Sequence, residues 1–164
     1  MANLYTEDIE KLYDEYADLL YRVAHSHLSN REDAMDAVQD VFVKYVTLKK
    51  KMPDNDYRKA WFIRVTINRC YDLLRRRNVR DYTPLDEVGE IAVNDESEMP
   101  RNIKNMLECV SEKYRTVLVL HYLEGFSIEE IASILNATPS AVKMRLMRAR
   151  DAVKATHNKE KFYD

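Results

Sequence analysis

The sequence predicts an all-α protein of two small helical domains joined by an acidic linker, the second containing a helix-turn-helix. Three observations carry that prediction. Glycine is nearly absent, with Gly89 and Gly125 the two that occur, and prolines number four among abundant Leu, Ala, Glu, Lys and Arg, a composition that favours helix. Apolar residues recur with a helical period on both sides of the chain, and that period lapses once, across residues 81–100. The scarcity of glycine also excludes Gly-rich phosphate loops, dinucleotide fingerprints and a G-x-S-x-G elbow, each of which needs two glycines at close spacing.

The first predicted helix covers "TEDIEKLYDEYADLLYRVAHSHL", with Ile9, Leu12, Tyr13, Tyr16, Leu19, Leu20 and Val23 on its buried side. His25 and His27 point about 200° apart on such a helix and are expected at the surface, with no Cys or His nearby to complete a metal site. "SNREDAMDAVQDVFVKYV" is the second helix, capped at Ser29 or Asn30. Ala34, Ala37, Val38, Val41, Phe42 and Tyr45 form its apolar stripe, and Asp36, Gln39, Asp40 and Lys44 lie outside or along the edges. The turn "KMPDND" leads to a third helix through "KAWFIRVTINRCYDLLRRR". Arg75, Arg76 and Arg77 suit the negative end of that helix dipole and equally suit contact with phosphates. Of the aromatics in this stretch, Trp61 is expected in the core, and Tyr57, placed in the turn, is the better platform for an unpaired base.

Near-neutral totals hide an organised charge distribution. The formal net charge is −2, yet from Arg58 to Arg80 eight cations stand against Asp72 alone, and from Asp81 to Pro100 seven acids stand with no cation. The acidic segment "DYTPLDEVGEIAVNDESEMP" holds two prolines and a glycine and is read as a linker, giving domains at 1–80 and 101–164. Its charge fits simple solvation of a flexible segment, and it also fits an acidic strand that occupies a basic channel meant for nucleic acid.

Beyond the linker, Ser127 and Glu130 in "SIEEIASIL" form a capping-box pattern, and Ile128, Ile131, Ala132 and Leu135 form one stripe. Thr138 before Pro139 starts a further helix, whose Val142, Leu146, Ala149 and Val153 face a core. Its opposite side carries Met144, Met147, Arg148 and Asp151, flanked by Lys143, Arg145, Arg150 and Lys154. Two short helices joined by a few residues make a helix-turn-helix, whose second helix suits the DNA major groove.

Other features are quiet. Cys70 and Cys109 each fall inside a predicted helix and are expected to be reduced packing residues. No apolar run is long enough to span a membrane, and the start "MANLYTEDIE" lacks the basic and apolar parts of a signal peptide. A cytoplasmic protein without membrane insertion is expected. No acid–base or nucleophile constellation supports an enzyme, and no metal or cofactor is implied.

Three motifs then occur in one order: "DAMDAVQDVFVKYV", "AWFIRVTINRCYDLLRRR" and, after the linker, "YRTVLVLHYLEGFSIEEIASILNATPSAVKMRLMRAR". Together they resemble a bacterial RNA polymerase sigma factor of the extracytoplasmic-function group, over nearly the whole chain; the last alone also resembles the helix-turn-helix of LuxR-type regulators. The resemblance implies that the first domain binds core RNA polymerase and the minus-ten promoter element, helping to melt it, and that the second binds the minus-thirty-five element. It implies core polymerase contacts at Asp36, Gln39, Asp40 and Lys44. It places minus-ten contacts at Asn55, Asp56, Tyr57, Arg58, Arg64, Asn68, Arg75 and Arg76, where Asn68 and Asp72 fit a structural role equally. It places minus-thirty-five contacts at Lys143, Met144, Arg145, Met147, Arg148 and Arg150. The family's connector passes through polymerase channels, which favours the second reading of the acidic linker, and an anti-sigma protein is an implied partner. Met144 departs from the family, which often has a small hydroxyl residue there, so the promoter sequence cannot be borrowed from relatives. The rival readings are a free-standing helix-turn-helix regulator, which leaves the first two motifs unused, and a helical interaction module without salt-sensitive DNA binding.

Overall fold

The computed structural model describes residues 2–48, 52–80 and 101–162. Among these the chain is helical, as expected: α1 is Ala2–Leu28, α2 Arg31–Leu48, α3 Asn55–Arg80, α4 Arg101–Glu108, α5 Glu112–Leu118, α6 Ile128–Leu135 and α7 Pro139–Phe162. The chain divides into two compact units, Met1–Val93 and Asn94–Asp164. The linker reading for residues 81–100 lies outside the described residues.

In the first unit, α1, α2 and α3 pack around an apolar centre. Leu20, Ala24, Ala34, Ala37, Phe62 and Ile63 are fully buried, and Phe62 is the hub. Its ring centroid lies 5.2 Å from Tyr16, 5.0 Å from Phe42, 5.1 Å from Tyr45 and 5.3 Å from Trp61. These stacked, tilted and edge-on contacts add to area burial. Between α1 and α2 the backbone turns through Ser29, at φ 56°, whose N–H donates to the His25 carbonyl at 2.9 Å; this left-handed residue closes α1. The cap of α2 is Asn30, not Ser29: its Oδ1 accepts from the Glu32 and Asp33 amides at 2.8 and 3.2 Å.

Several expectations for this unit are corrected. His25 and His27 are buried rather than at the surface, because α1 packs against both α2 and α3 and is covered on more than one side. His27 meets Tyr71 of α3 edge-on, and His25 stacks on Tyr21. Tyr13, expected inside, is 43% exposed at the rim of the aromatic cluster, 5.0 Å from Phe42. Trp61 is half-buried between Tyr45 and Phe62.

In the second unit, α4 is fastened to α5 by Arg115. Its buried guanidinium donates from Nε to the Leu107 carbonyl at 2.7 Å and from an Nη to the Val110 carbonyl at 3.1 Å, and it pairs with Glu112 at 3.1 Å. One carbonyl in the last turn of α4 and one in the turn that follows it are thereby satisfied. Cys109 lies in this turn, exposed, and not inside a helix as expected; Cys70 is buried in α3, and neither cysteine is in a disulfide.

The end of α5 widens into a π-helical turn over Val119–Leu123, and Gly125, at φ 75°, supplies the left-handed residue that redirects the chain. The Phe126 amide donates back to the Leu120 carbonyl at 2.9 Å, and Phe126 is buried. Ser127 therefore arrives in place to start α6.

Candidate nucleic-acid interface

The helix-turn-helix of the second unit is built by local chemistry that the sequence displays. At the start of α6 the Glu130 amide donates to Ser127 Oγ at 3.1 Å and the Ser127 amide to Glu130 Oε1 at 3.2 Å, a complete capping box. The helix ends at Asn136 in the left-handed region, φ 57° and ψ 43°, where the Ala137 amide reaches the Ala132 carbonyl at 2.9 Å; this 6→1 closure is a Schellman stop. Asn136, Ala137 and Thr138 alone separate α6 from α7. Thr138 Oγ1 then accepts from the Ala141 amide at 3.1 Å, and Pro139 opens α7.

One side of α7 is spent on the core: Val142, Leu146 and Ala149 are buried together with Ile131, Ala132 and Ile134 of α6. The opposite side is solvent-facing. Met144 is 49% and Met147 50% exposed; Ser140, Lys143, Arg148 and Asp151 are exposed with them. Arg145 is half-buried at one edge of this face. At the other edge Arg150 is exposed and donates to the Tyr122 hydroxyl at 3.3 Å, an attachment to the π turn that sequence reading missed. Lys143, Arg145, Arg148 and Arg150 stand with no acid between residues 143 and 150.

In the first unit the minus-ten candidates divide by their place on α3. Residues 55 and 56 are not in the turn expected: α3 begins at Asn55, and the Tyr57 amide donates to Asp54 Oδ1 at 2.7 Å. Tyr57 therefore sits in the first helical turn, 52% exposed. At about 100° per residue, Tyr57, Arg64, Asn68 and Arg75 share one stripe running about 27 Å along the axis. Tyr57, Asn68 and Arg75 are exposed and Arg64 is half-buried. Asn55, Asp56, Arg58 and Arg76 lie off the stripe. Arg58 turns to its own unit: it donates to Asn55 Oδ1 at 2.6 Å and hydrogen-bonds the buried Tyr16 phenol. Burial pushes the Tyr16 pKa up from the usual 10.0, with the Arg58 hydrogen bond opposing and the neighbouring Glu15 charge adding to the rise.

Three of the cations on α3 are met by acids. Arg69 reaches Asp40 of α2 at 2.9 Å, Arg77 pairs with Asp33 of α2, and Arg75 pairs with Asp72 at 2.7 Å. Arg76 is exposed. The polymerase candidates Asp36, Gln39, Asp40 and Lys44 are all exposed on α2, but Asp40 is shared with Arg69. Sequence reading missed three apolar residues among them: Val43, 65% exposed, with Met35 and Val46 also exposed. The signal was present, because Val43 falls on the polar face once the buried stripe is drawn.

This pair of units matches known families over most of its length. Residues 12–80 match the family described as Sigma-70 region 2, and residues 101–153 the family described as Sigma-70, region 4. The RNA polymerase sigma factor CnrH of Cupriavidus metallidurans is 31% identical over 153 residues, covering 83% of this chain and 79% of that protein. The ECF RNA polymerase sigma factor SigW of Bacillus subtilis is 26% identical over 159 residues, covering 87% and 85%. The chain belongs to the extracytoplasmic-function sigma factors. Among solved structures, the sigma factor RpoE of Bartonella quintana, determined in complex with the anti-sigma factor NepR, superposes with a TM-score of 0.69 at 26% identity, covering 91% of this chain and 96% of that one. In this sigma factor the Sigma-70 region 2 match spans α2 and α3 in full with most of α1, and the region 4 match ends inside α7. No described helix is long and apolar enough to cross a membrane.

Proposed function

We propose that this sigma factor divides promoter recognition between its two units: residues 1–80 engage core RNA polymerase and the minus-ten element, residues 101–164 the minus-thirty-five element, and 81–100 connect them. The observation that carries the reading is the solvent-facing, acid-free basic segment of α7 on a fully capped helix-turn-helix. A helix presented in this way fits the major groove. In this reading Lys143, Met144 and Met147 face base edges, and Arg145 and Arg148 hold phosphates. Arg150, braced by Tyr122, contacts the backbone on the other edge.

The minus-ten reading rests on the stripe along α3. Tyr57 offers a ring for an unpaired base and Asn68 an amide for its edge, but the two lie about 16 Å apart along the helix. They serve different nucleotides rather than one pocket. On α2, Asp36, Gln39, Asp40 and Lys44, with Val43 among them, form the face offered to polymerase. The protein carries no catalysis of its own, acts in the cytoplasm, and is held by an anti-sigma protein when inactive; the complex of RpoE with NepR supports that last step.

Run-off transcription with core polymerase on a promoter library tests the whole reading. A discrete promoter class transcribed only when this chain is added is the expected result. Duplex binding without any polymerase-dependent initiation would favour the free-standing regulator instead.

A further inference from the structure

The two methionines on α7 are not explained by the core. That core is filled by Val142, Leu146 and Ala149, yet Met144 and Met147 leave half of each side chain in water on the one face that the proposed function turns toward DNA. They stand one turn apart on the same face, separated by a rise of about 4.5 Å, close to the spacing of about 3.4 Å between successive bases on a strand. Lys143 and Arg148 are exposed on either side of them, and Asp151, one turn further on the same face, sets a carboxylate where phosphate would be repelled. The apolar pair therefore occupies the middle of the part of α7 that a polyanion can approach.

The major-groove edge of the base pairs presents one apolar group, the thymine C5-methyl. A thioether donates no hydrogen bond and accepts only weakly, and its flexible stem conforms to small apolar partners. Resting on the reading of α7 as the minus-thirty-five helix, we infer that Met144 and Met147 are methyl readers, and that the upstream element chosen by this sigma factor carries thymines at one or two positions facing them. An apolar protein surface is the competing occupant of the patch. The acid-free run of cations around it favours DNA.

Deoxyuridine tests this atom by atom, since it keeps every hydrogen-bonding group of thymine and lacks only the methyl. Core polymerase carrying the full-length chain is first used to select promoters from a library randomised upstream. Each thymine of the enriched element, on either strand, is then replaced singly by deoxyuridine, and holoenzyme binding is measured. At one or two positions the replacement should weaken binding about fourfold, the value of one buried methyl. That sensitivity should vanish with Met144→Ser or Met147→Ser, whose folding is checked by thermal unfolding. Selective binding that ignores deoxyuridine at every position would overturn the inference and leave the groove reading standing. Deoxyuridine sensitivity that persists in both variants would assign the methyls to other residues and overturn it too. Variants with unchanged promoter preference but weakened capture by an anti-sigma protein would assign the patch to protein. Failure to enrich any upstream sequence would remove the minus-thirty-five reading and the inference together.

Discussion

Replacing Asp40 by Ala separates a contact inside the chain from a contact to polymerase. Asp40 accepts from both Nε and an Nη of Arg69 at 2.9 Å, with side-chain exposures of 49% and 29% for acid and base. Solvent screening at that exposure holds the pair to about 1 kcal/mol or less. For a unit of this size such a loss lowers Tm by about 4–8 °C at most, and a domain of ordinary stability stays more than about 99% folded at 25 °C. Folding alone therefore cannot produce a tenfold loss of affinity, which needs about 1.4 kcal/mol. Arg69→Ala breaks the same pair from the other side and is the control; Val43→Asp changes the α2 face at a residue 65% exposed, where the fold has little at stake. Core polymerase binding is measured by competition against labelled wild type, alongside thermal unfolding. Asp40→Ala and Val43→Asp should each lose tenfold or more in affinity, while Arg69→Ala loses only thermal stability. Asp40→Arg is a poorer probe, because it sets two guanidiniums side by side. Equal affinity losses for Asp40→Ala and Arg69→Ala, with Val43→Asp unchanged, would refute the polymerase-facing assignment and make the pair purely structural.

Arg115→Met should lower stability by about 1–3 kcal/mol, read by denaturant unfolding, because it strands the Val110 carbonyl and takes one of two donors from the Leu107 carbonyl, which keeps the Val110 amide at 3.2 Å. The raised Tyr16 pKa makes the folded state hold a proton that the unfolded chain gives up above 10.0. Its share of stability is full below that pH and is lost as pH rises through the folded value; the alkaline slope of unfolding free energy should be shallower in Tyr16→Phe. Tyr57→Ala and Asn68→Ala should each slow promoter opening more than closed-complex formation, measured by fluorescence of a reporter base in the minus-ten strand. Their effects should add in the double variant, because residues so far apart on α3 meet different nucleotides. Arg148→Ala should reduce the salt dependence of minus-thirty-five binding by about one ion, whereas Arg77→Ala leaves that slope unchanged.

What could be read from the sequence was what depends on residues close in the chain. The Ser127–Glu130 box, the Thr138 cap before Pro139 and the buried stripe of Val142, Leu146 and Ala149 were all legible, since each is a relation within one or two turns, and the structure contains each of them. His25 and His27 were misread for the complementary reason. A helical period describes a helix with one buried side, and the end of α1 is covered by two partners. The start of α3 was misplaced although Pro53 followed by Asp54 is a fair start signal; the run "KMPDND" looked too polar and turn-rich to hold the cap. No residue pattern announced the π turn at Val119–Leu123, whose evident local mark is Gly125 two residues on. The coupling of Arg150 to Tyr122 follows from that turn and was out of reach for the same reason.

The largest correction concerns charge. Read along the chain, α3 is a basic helix with two acids, Asp56 and Asp72, and bulk electrostatics would make it the chief nucleic-acid surface. In the folded unit α2 runs beside α3 in the opposite direction, as the pairings of residue 33 with 77 and 40 with 69 require. The acids of one helix thereby neutralise cations of the other. An arginine held by a carboxylate offers a phosphate little net charge, so few counterions are released there. The groups on the α3 stripe that suit unpaired DNA are then a ring and an amide, Tyr57 and Asn68, with Arg64 between them. Such groups act on bases once these are unstacked and do little for intact duplex. On α7, no ion pair joins Lys143, Arg145, Arg148 or Arg150 to an acid among the described residues, and the duplex contacts proposed above fall in the second unit. The two units differ in how their charge is met, and that difference suits a protein that holds duplex upstream and separated strands downstream.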